Sequence, residues 1–318
     1  MKNVVVIGGG TGVFTVLSGL KNYPLNLTAI VTIADDGGSS GLLREEFGIL
    51  PPGDIRRALV ALSSSSPLLA KLFSYRFSNG TGLKGHSFGN LFLTALEKVT
   101  GDFKTAIKEA GKILDIKGEV IPVSLENTRL FARLENDLLV MGESNIDVPK
   151  HDGNLLIKEV FLNPQVKANR EALAAIKKAD WIIIGPGDLY TSIIPNFLVK
   201  GVREALKKSK AKKIYVLNIM TKFGETNSFT ADKFLSVLEK YLGKGVIDYI
   251  IINTEKPKKQ YLEKYKKEQA EPVKYDKKYF SQLKKPKPVY AKLIRNGPLL
   301  RHDPKKLASV IYQIITNN

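Results

Sequence analysis

The 318-residue sequence contains no cysteine, which excludes disulfides and thiolate zinc sites and is typical of a reducing compartment. It has only three histidines, His86, His151 and His302, and this small number disfavours a histidine-rich zinc site. No run approaches the roughly 18 apolar residues of a membrane-spanning helix, and the first residues do not form a signal-peptide pattern. These absences predict a cytoplasmic protein without membrane insertion.

Acidic residues are scarce relative to basic ones, because 31 Asp and Glu against 49 Lys and Arg give a net charge of +18. The excess is concentrated in a basic excursion, residues 256–287, which holds twelve lysines and four acids. An anionic partner would bind such a segment, but a solvated lysine-rich surface explains it equally well. Arginines and aromatic residues do not alternate there as in single-strand binding platforms, so nucleic acid is disfavoured as a partner.

The order of strand and helix patterns predicts an α/β, Rossmann-like fold, with a mostly parallel sheet and helices on both faces. Five runs are apolar almost throughout, as strands buried on both faces are. These are residues 3–7, 27–33, 181–185, 213–219 and 246–252. Helical patterns cover residues 13–21, 196–208 and 230–241.

The middle of the chain predicts a β-rich insertion over about 119–165, within a single domain that spans residues 1–318. Antiparallel strands are expected at 119–124, 128–136, 137–143 and 154–162, with a turn at Glu135-Asn136-Asp137. The tail predicts a strand at 288–294 and a last helix at 304–316. Asp303 would be the N-cap of that helix and Pro304 would lie in its first turn.

A glycine-rich turn follows the first predicted strand, in VVVIGGGTGVF. It contains Gly8, Gly9, Gly10, Thr11 and Gly12. Glycines let the backbone approach a phosphate, and the N–H groups that open the next helix attract an anion. The dinucleotide fingerprint G-x-G-x-x-G would place a third glycine where Val13 stands, which argues against NAD. A tight turn that needs glycine only for steric reasons is the alternative.

Two acids follow the second predicted strand, in ADDGGSSG. Asp35 lies 23 residues beyond Gly12, where dinucleotide folds hold a carboxylate against a ribose hydroxyl. Together with Asp36 it could bind Mg²⁺ or orient an attacking hydroxyl. The residues after this pair would also contact a nucleotide; they are Gly37, Gly38 and Ser39. Alternatively, the two acids only cap the loop and the following helix.

Two further helix openings carry polar residues. In PPGDIRRAL, Asp54 is either an N-cap or a catalytic acid, and Arg56 or Arg57 could neutralise a phosphate. In GHSFGN, His86 stands between glycines and is expected to contact a ligand rather than pack in the core. Ser87 could cap the helix there, and Asn90 lies in its first turn. Both Ser87 and Asn90 are further candidates for ligand contact.

Three later loops complete the candidate site. WIIIGPGDLYTSIIPN supplies Gly185, Gly187, Asp188, Tyr190 and Ser192; NIMTKFGETNSFT supplies Thr221 and Thr226; NGPLLRHDP supplies Arg301. Because ligands bind at the carboxyl ends of parallel strands, we expect these loops to converge on one nucleotide pocket. The sequence has neither a Gly-x-Ser-x-Gly elbow nor a Walker lysine motif.

Taken in order, seven motifs between Gly8 and Ala308 resemble the gluconeogenesis-factor family. They are GGGTG, ADDGGSSG, PPGDIRR, GHSFGN, GPGDLYTSIIPN, NIMTKFGET and RHDPKKLA. This family is similar to the 2-phospho-L-lactate transferases, which use Mg²⁺ to join a phospholactyl group to a deazaflavin and release a guanine nucleotide. The resemblance implies a Rossmann-like fold with a nucleotide pocket. The gluconeogenesis-factor branch is implicated in cell morphogenesis and carbon metabolism and is similar to sensors of UDP-sugars such as UDP-N-acetylglucosamine.

Carried over by position, Gly9–Gly12 would line the nucleotide, and Arg301 would serve the nucleotide-sugar. Asp36 and Asp54 match acids of the transferase site and would be the catalytic and Mg²⁺-binding candidates. The sequence departs from the family pattern at Asp188, where Ser is expected, and at Asn227, where Asp often follows GET. Asp188 places a negative charge near the expected diphosphate, which lowers affinity unless a cation compensates.

We therefore expect a non-catalytic UDP-sugar-binding regulator of cell shape and carbon metabolism, with a regulatory protein partner and a homo-oligomeric assembly. Two alternatives stay open. One is an Mg²⁺-dependent transferase that acts on a nucleotide-activated substrate, such as a GDP compound, through Asp35, Asp36 and Asp54. The other is an NAD-binding protein, which the missing third glycine disfavours.

Overall fold

The computed structural model describes residues 1–317, which form ten β-strands and fourteen α-helices. The strands are β1 (Lys2–Gly8), β2 (Leu25–Val31), β3 (Glu119–Pro122), β4 (Arg129–Leu134), β5 (Leu139–Met141), β6 (Ile157–Asn163), β7 (Trp181–Ile184), β8 (Lys212–Val216), β9 (Tyr249–Asn253) and β10 (Lys287–Ala291). The helices are α1 (Gly10–Leu20), α2 (Gly38–Phe47), α3 (Gly53–Leu62), α4 (Pro67–Ser74), α5 (Phe88–Thr100), α6 (Phe103–Ile113), α7 (Glu143–Asp147), α8 (Arg170–Lys178), α9 (Ile194–Leu198), α10 (Val202–Lys208), α11 (Ala231–Leu242), α12 (Lys259–Lys267), α13 (Lys277–Gln282) and α14 (Pro304–Thr316). A π-helical turn, Leu189–Ile193, leads directly into α9.

Seven strands form one parallel sheet in the order β10-β9-β8-β7-β1-β2-β3, and helices cover its faces. The sheet confirms the predicted Rossmann-like α/β class. Its central strands are apolar because both of their faces are covered; Ile182, Ile183 and Ile184 in β7 are fully buried. The chain leaves β1 towards one edge and β7 towards the other, so a crevice opens beyond the carboxyl ends of these two adjacent strands.

A second, smaller sheet is antiparallel and has the order β5-β4-β6. It confirms three strands of the predicted insertion, and Asp137 takes a left-handed φ of 64° in the turn between β4 and β5. The prediction that residues 119–124 begin this insertion is wrong, since β3 pairs in parallel with β2 in the large sheet. The continuous apolar run of Val120 and Ile121 suits a strand that is covered on both faces.

Two predicted helix boundaries change in the structure. Helix α1 begins at Gly10, so the glycine turn itself forms its first turn, whereas the pattern placed the start at residue 13. The helix predicted over 196–208 is interrupted, because α9 ends at Leu198 and Gly201 takes a left-handed φ of 100° before α10 begins. The last helix is as predicted: the Asp303 side chain accepts hydrogen bonds from the N–H groups of Lys305 and Lys306.

None of the helices within residues 1–317 combines the length and the apolar composition that crossing a membrane requires.

Candidate functional site

Two adjoining cavities open at the carboxyl ends of the strands. The outer cavity has a volume of about 640 Å³ and lies between the glycine turn, the loop after β8 and the segment around Arg301. The inner cavity has a volume of about 490 Å³ and lies between the openings of α2 and α3 and helix α7. Six residues line both cavities, which makes them one continuous cleft: Gly10, Thr11, Asp147, Val148, Asp188 and Ser192.

The glycine turn fits its position because it leaves no room for side chains. A Cβ atom on Gly9 would lie 2.5 Å from the Asp54 carboxylate, and one on Gly12 would lie 1.7 Å from the Pro186 carbonyl oxygen. Gly10 takes a left-handed φ of 62°. The first N–H group of α1, that of Gly10, donates to the Asp54 side chain, whereas the next two, those of Thr11 and Gly12, have no acceptor within the helix. N–H groups at the start of a helix can bind an anion, and this turn lines both cavities of the cleft.

Asp54 holds this turn in place. Its Oδ1 atom accepts hydrogen bonds from Gly10 N at 2.9 Å and from Arg57 Nη1 at 3.2 Å. Burial raises the pKa of Asp54 to about 6, and the nearby Asp35 adds to that rise, while Arg57 opposes it. Asp54 lies inside α3, whose N-cap is Pro52, so its predicted N-cap role is wrong. The carboxylate therefore fixes the glycine turn and itself lines the inner cavity.

The inner cavity is lined mainly by polar groups. Asn90 links its walls, since its Oδ1 accepts a hydrogen bond from Arg56 Nε at 2.9 Å and its Nδ2 donates to Ser39 Oγ at 3.2 Å. His86 does not line either cavity; it is buried behind Ser39, with Nδ1 3.2 Å from Ser39 Oγ. The expected direct ligand contact of His86 is therefore wrong. Ser87 accepts a hydrogen bond from Asn90 N and caps α5, as one alternative predicted.

A lysine and three carboxylates form a cluster in the wall of the cleft. Lys222 Nζ donates to Asp147, lies 3.0 Å from Asp188 Oδ2 and lies 3.3 Å from Glu225 Oε1. Glu225 is buried and also accepts hydrogen bonds from Tyr190 N and Thr191 Oγ1. Burial raises the pKa of Glu225 to about 8, while Lys222 acts to lower it. Sequence reasoning did not single out Lys222, Asp147 or Glu225, although Lys222 and Glu225 lie within the NIMTKFGET motif.

The outer cavity has an apolar end next to a cationic one. Ile219, Leu300 and Ile294 form a small hydrophobic cluster of their own, and Tyr265 packs against it. Tyr265 comes from α12, so part of the basic excursion forms a wall of the cleft. Arg301 lines the same cavity, and within residues 1–317 its side chain forms neither a hydrogen bond nor an ion pair.

His302, which follows Arg301, is buried at the wall of the outer cavity. Its Nε2 atom has no hydrogen-bond partner in the part of the chain that the structure describes. Burial lowers the pKa of His302 to about 4, so its imidazole is neutral at physiological pH. The imidazole therefore adds no positive charge to this cavity, whose cationic lining residues are Arg301, Lys222 and Lys264.

Most of the predicted site residues line one or both cavities: Gly9, Gly10, Thr11, Gly12, Asp35, Gly37, Gly38, Ser39, Asp54, Asn90, Gly187, Asp188, Ser192, Thr221 and Arg301. The others lie outside these linings: Gly8, Asp36, His86, Ser87, Gly185, Tyr190 and Thr226. Among these, Tyr190 and Thr226 contact the lysine cluster through backbone or hydroxyl hydrogen bonds and support the cleft from behind.

Comparison with known proteins shows which family the chain belongs to. The family described as 2-phospho-L-lactate transferase CofD matches residues 4–293, which is most of the chain. The chain belongs to the CofD family. It is 47% identical to the gluconeogenesis factor of Halalkalibacterium halodurans over 313 residues, which cover 98% of this chain and 96% of that protein. It is 43% identical to the gluconeogenesis factor of Bacillus subtilis over 319 residues, which cover 98% of each.

A solved structure of the same family has the same fold. The crystal structure of a UPF0052 family member from Bacillus halodurans superimposes with a TM-score of 0.92 at 46% sequence identity, and the match covers 98% of this chain and 99% of that one. The resemblance that seven short motifs indicated in the sequence is thus confirmed at the level of the whole fold.

In this CofD-family chain the two acids proposed for Mg²⁺, Asp36 and Asp54, do not share a cavity. Asp36 Oδ1 accepts a hydrogen bond from Ser144 N at 2.8 Å, and its Oδ2 lies 3.7 Å from Arg129 Nη1. Asp36 therefore fixes the start of α7 instead of facing the cleft, and the predicted pairing of Asp36 with Asp54 is wrong. Asp35, by contrast, lines the inner cavity together with Asp54, as do Glu143, Asp147 and Asp188.

Proposed function

We propose that the protein is a regulatory protein that binds a nucleotide-sugar of the UDP-N-acetylglucosamine type in this cleft and does not turn it over. The observation that carries the proposal is the position of the glycine turn. It opens the N-terminus of α1 midway along a cleft that has an apolar end with a free arginine on one side and a polar cavity on the other. That order of surfaces matches the order of base, diphosphate and sugar in such a ligand.

The diphosphate fits above Thr11 and Gly12. Their N–H groups open α1, where the partial positive charge of the helix favours an anion. Gly12 has no side chain between the Pro186 carbonyl group and the turn, so a phosphate can approach the backbone closely. Lys222 also lines this cavity, where its ammonium group partly neutralises three carboxylates.

The base fits the apolar end of the outer cavity. Tyr265, Met220 and Leu300 line this end, and an aromatic side chain beside aliphatic ones suits a planar ring. Tyr265 is held in place because its hydroxyl oxygen accepts a hydrogen bond from Leu300 N at 2.8 Å. Arg301, whose guanidinium is unpaired in residues 1–317, can then bind a phosphate oxygen or a base carbonyl.

The sugar fits the inner cavity, whose polar lining suits hydroxyl and acetamido groups. Ser39 and Asn90 supply donors and acceptors there, and Asp35 supplies acceptors only. Six residues line both cavities, so a ligand held at the glycine turn extends into the inner cavity without crossing a barrier.

The regulatory role is proposed from the relatives and from the position of the basic excursion. Two relatives of almost the same length carry the name gluconeogenesis factor, which supports a role in carbon metabolism; the role in cell shape is proposed only from the resemblance of the sequence motifs. Helix α12 has Tyr265 in the cleft and exposed lysines on its outer side. A ligand in the cleft would therefore contact the same helix that a regulatory protein partner with an acidic surface would bind.

A transferase activity is the second candidate, since the matching family is described by that activity and since Asp35 and Asp54 share the inner cavity. The two proposals differ in turnover. An enzyme of this type would consume a nucleotide-activated substrate in the presence of Mg²⁺, whereas the regulator would return its ligand unchanged.

Calorimetric titration with UDP-N-acetylglucosamine, GDP and NAD, each with Mg²⁺ and with EDTA, tests the proposal. We expect saturable binding of UDP-N-acetylglucosamine and its recovery intact after incubation. Arg301→Ala should weaken binding about tenfold or more, as loss of a charge-assisted hydrogen bond does. Arg295→Ala, on the same hairpin but outside the cleft lining, is the matched control and should bind normally. Binding of GDP alone, or conversion of the ligand, would favour the transferase.

A further inference from the structure

The cluster around Lys222 has the form of a cation site that already holds a cation. Its three carboxylates come from different parts of the chain: Asp147 ends α7, Asp188 precedes the π-helical turn, and Glu225 lies in the loop after β8. Lys222 Nζ contacts all three of them. The ammonium group thus joins the small-sheet region to the loops of the large sheet.

The carboxylate oxygens of this cluster have the spacing that a divalent ion requires. One oxygen of each residue lies within 4.8 Å of the others. Oxygen ligands of Mg²⁺ or Ca²⁺ lie about 2.0–2.6 Å from the ion, so opposite ligands are about 4–5 Å apart. Without Lys222 the three oxygens could share one ion. In this chain the Lys222 ammonium already contacts all three of these carboxylates, so the residues do not fit a divalent ion at this cluster.

We propose that Lys222 is a built-in cation that takes the place of a divalent metal beside the ligand, so that nucleotide-sugar binding in this cleft does not depend on metal. The part that concerns ligand binding rests on the proposed function. Lys222, Asp147 and Asp188 all line the outer cavity that also contains the glycine turn. Lys222 therefore reduces the repulsion that these carboxylates would exert on a diphosphate in the same cavity.

The position of Asp188 supports this role. Its carboxylate lines the outer cavity and adds a negative charge next to an anionic ligand. Lys222 Nζ lies 3.0 Å from Asp188 Oδ2 and offsets part of that charge. Burial acts to lower the pKa of Lys222, but Glu225, Asp188 and Asp147 raise it by more, so the lysine stays protonated.

The proposal predicts that Lys222→Met creates a metal site. Three carboxylates are then left without their cation, and a divalent ion can take its place. The variant should bind one more Mn²⁺ ion than the wild-type protein, as counted by electron paramagnetic resonance of free Mn²⁺. The further substitution Asp188→Ser should remove that additional ion. Lys150→Met, which removes an exposed lysine close in sequence to Asp147, is the control and should bind no additional ion.

The second arm measures UDP-N-acetylglucosamine binding by calorimetry. For the wild-type protein we expect the same Kd, within about twofold, in EDTA and in Mg²⁺. For Lys222→Met we expect binding weakened about tenfold or more in EDTA and restored by Mg²⁺ or Mn²⁺, because the cation that partly neutralises three carboxylates beside the ligand has been lost. Lys222→Arg keeps the charge and should stay independent of metal.

Each outcome decides one of the two claims. Wild-type binding that requires Mg²⁺, or a Lys222→Met protein that gains no Mn²⁺ site, would overturn the role of Lys222. If the wild-type protein does not bind the nucleotide-sugar at all, the proposed function fails, while the Mn²⁺ count still tests the cation role. Lys222→Gln, which can still hydrogen-bond to the carboxylates, replaces Lys222→Met if that variant does not fold.

Discussion

Gly12 and the carbonyl group of Pro186 are in direct backbone contact, so that a Cβ atom on Gly12 would lie 1.7 Å from the Pro186 oxygen. Gly12 belongs to the turn after β1, and Pro186 belongs to the loop after β7. The two strands are neighbours at the point where the chain direction across the sheet reverses. This contact therefore closes the floor of the cleft at the position where ligands bind in such sheets.

Gly12→Ala should destabilise the protein and abolish ligand binding. Backbone atoms cannot move aside as side chains can, so overpacking here should cost about 2–3 kcal/mol or more of unfolding free energy. Gly37→Ala is the matched control, because its Cβ would meet only ordinary contacts at 3.6 Å and beyond. Urea unfolding of both variants checks the prediction, and equal stability of the two would contradict it.

The carboxyl group of Asp54 should make stability depend on pH between about 4 and 6. Its pKa is raised from 3.8 to about 6 in the folded protein, so folding takes up a proton and the ionised form destabilises the protein above pH 6. Asp54→Asn removes this penalty, which corresponds to about 3 kcal/mol. The unfolding free energy of the variant minus that of the wild-type protein should be larger at pH 8 than at pH 4.5. A difference between the two proteins that is the same at both pH values would contradict this.

His302 should destabilise the protein at low pH, whereas Asp54 destabilises it at high pH. Burial lowers its pKa from 6.5 to about 4. Between these two pH values the imidazole is protonated in the unfolded chain but neutral in the folded protein. The contribution is fully present above pH 6.5 and is lost as the pH falls towards 4, by about 3 kcal/mol. His302→Gln should lose less unfolding free energy than the wild-type protein between pH 7.5 and pH 4.5. Parallel losses in urea titrations would show that the imidazole is not buried as neutral.

Asp36 should matter for stability but not for binding. Its hydrogen bond from Ser144 N and its contact with Arg129 fix the start of α7. Asp36→Ala should lower the unfolding free energy by about 1.5–3 kcal/mol, the range for hydrogen bonds to charged groups. Glu46→Ala, an exposed acid without a partner in the described residues, should change it by less than about 0.5 kcal/mol. A loss of ligand affinity in Asp36→Ala without a loss of stability would place Asp36 in the site after all.

The fold could be predicted where local patterns carry the information. Strands of continuous apolar character, such as β1 and β7, are recognisable because both of their faces are buried. Local patterns do not show which other strand a strand pairs with. β3 pairs with β2, which lies far away in sequence. The apolar run of Val120 and Ile121 suits a strand covered on both faces, but it does not identify β2 as the partner.

The candidate site could be predicted as a set of loops but not as a set of side-chain directions. The glycine turn and Arg301 line the cleft as the loop pattern predicts, although the close packing around Gly9 and Gly12 is also what a purely steric role of glycine requires. Asp35 and Asp36 are adjacent, yet only Asp35 lines the inner cavity. The contact of Lys222 with Asp147 joins residues 75 positions apart, and such a contact leaves no trace in the local sequence.

A crystal structure of the protein with bound UDP-N-acetylglucosamine tests the central claim most directly. We predict phosphate oxygens within hydrogen-bond distance of the N–H groups of Thr11 and Gly12, the base beside Tyr265, and the sugar in the inner cavity. Arg301 should contact the ligand in that complex. Density for the ligand outside this cleft, or a diphosphate held away from the glycine turn, would contradict the account.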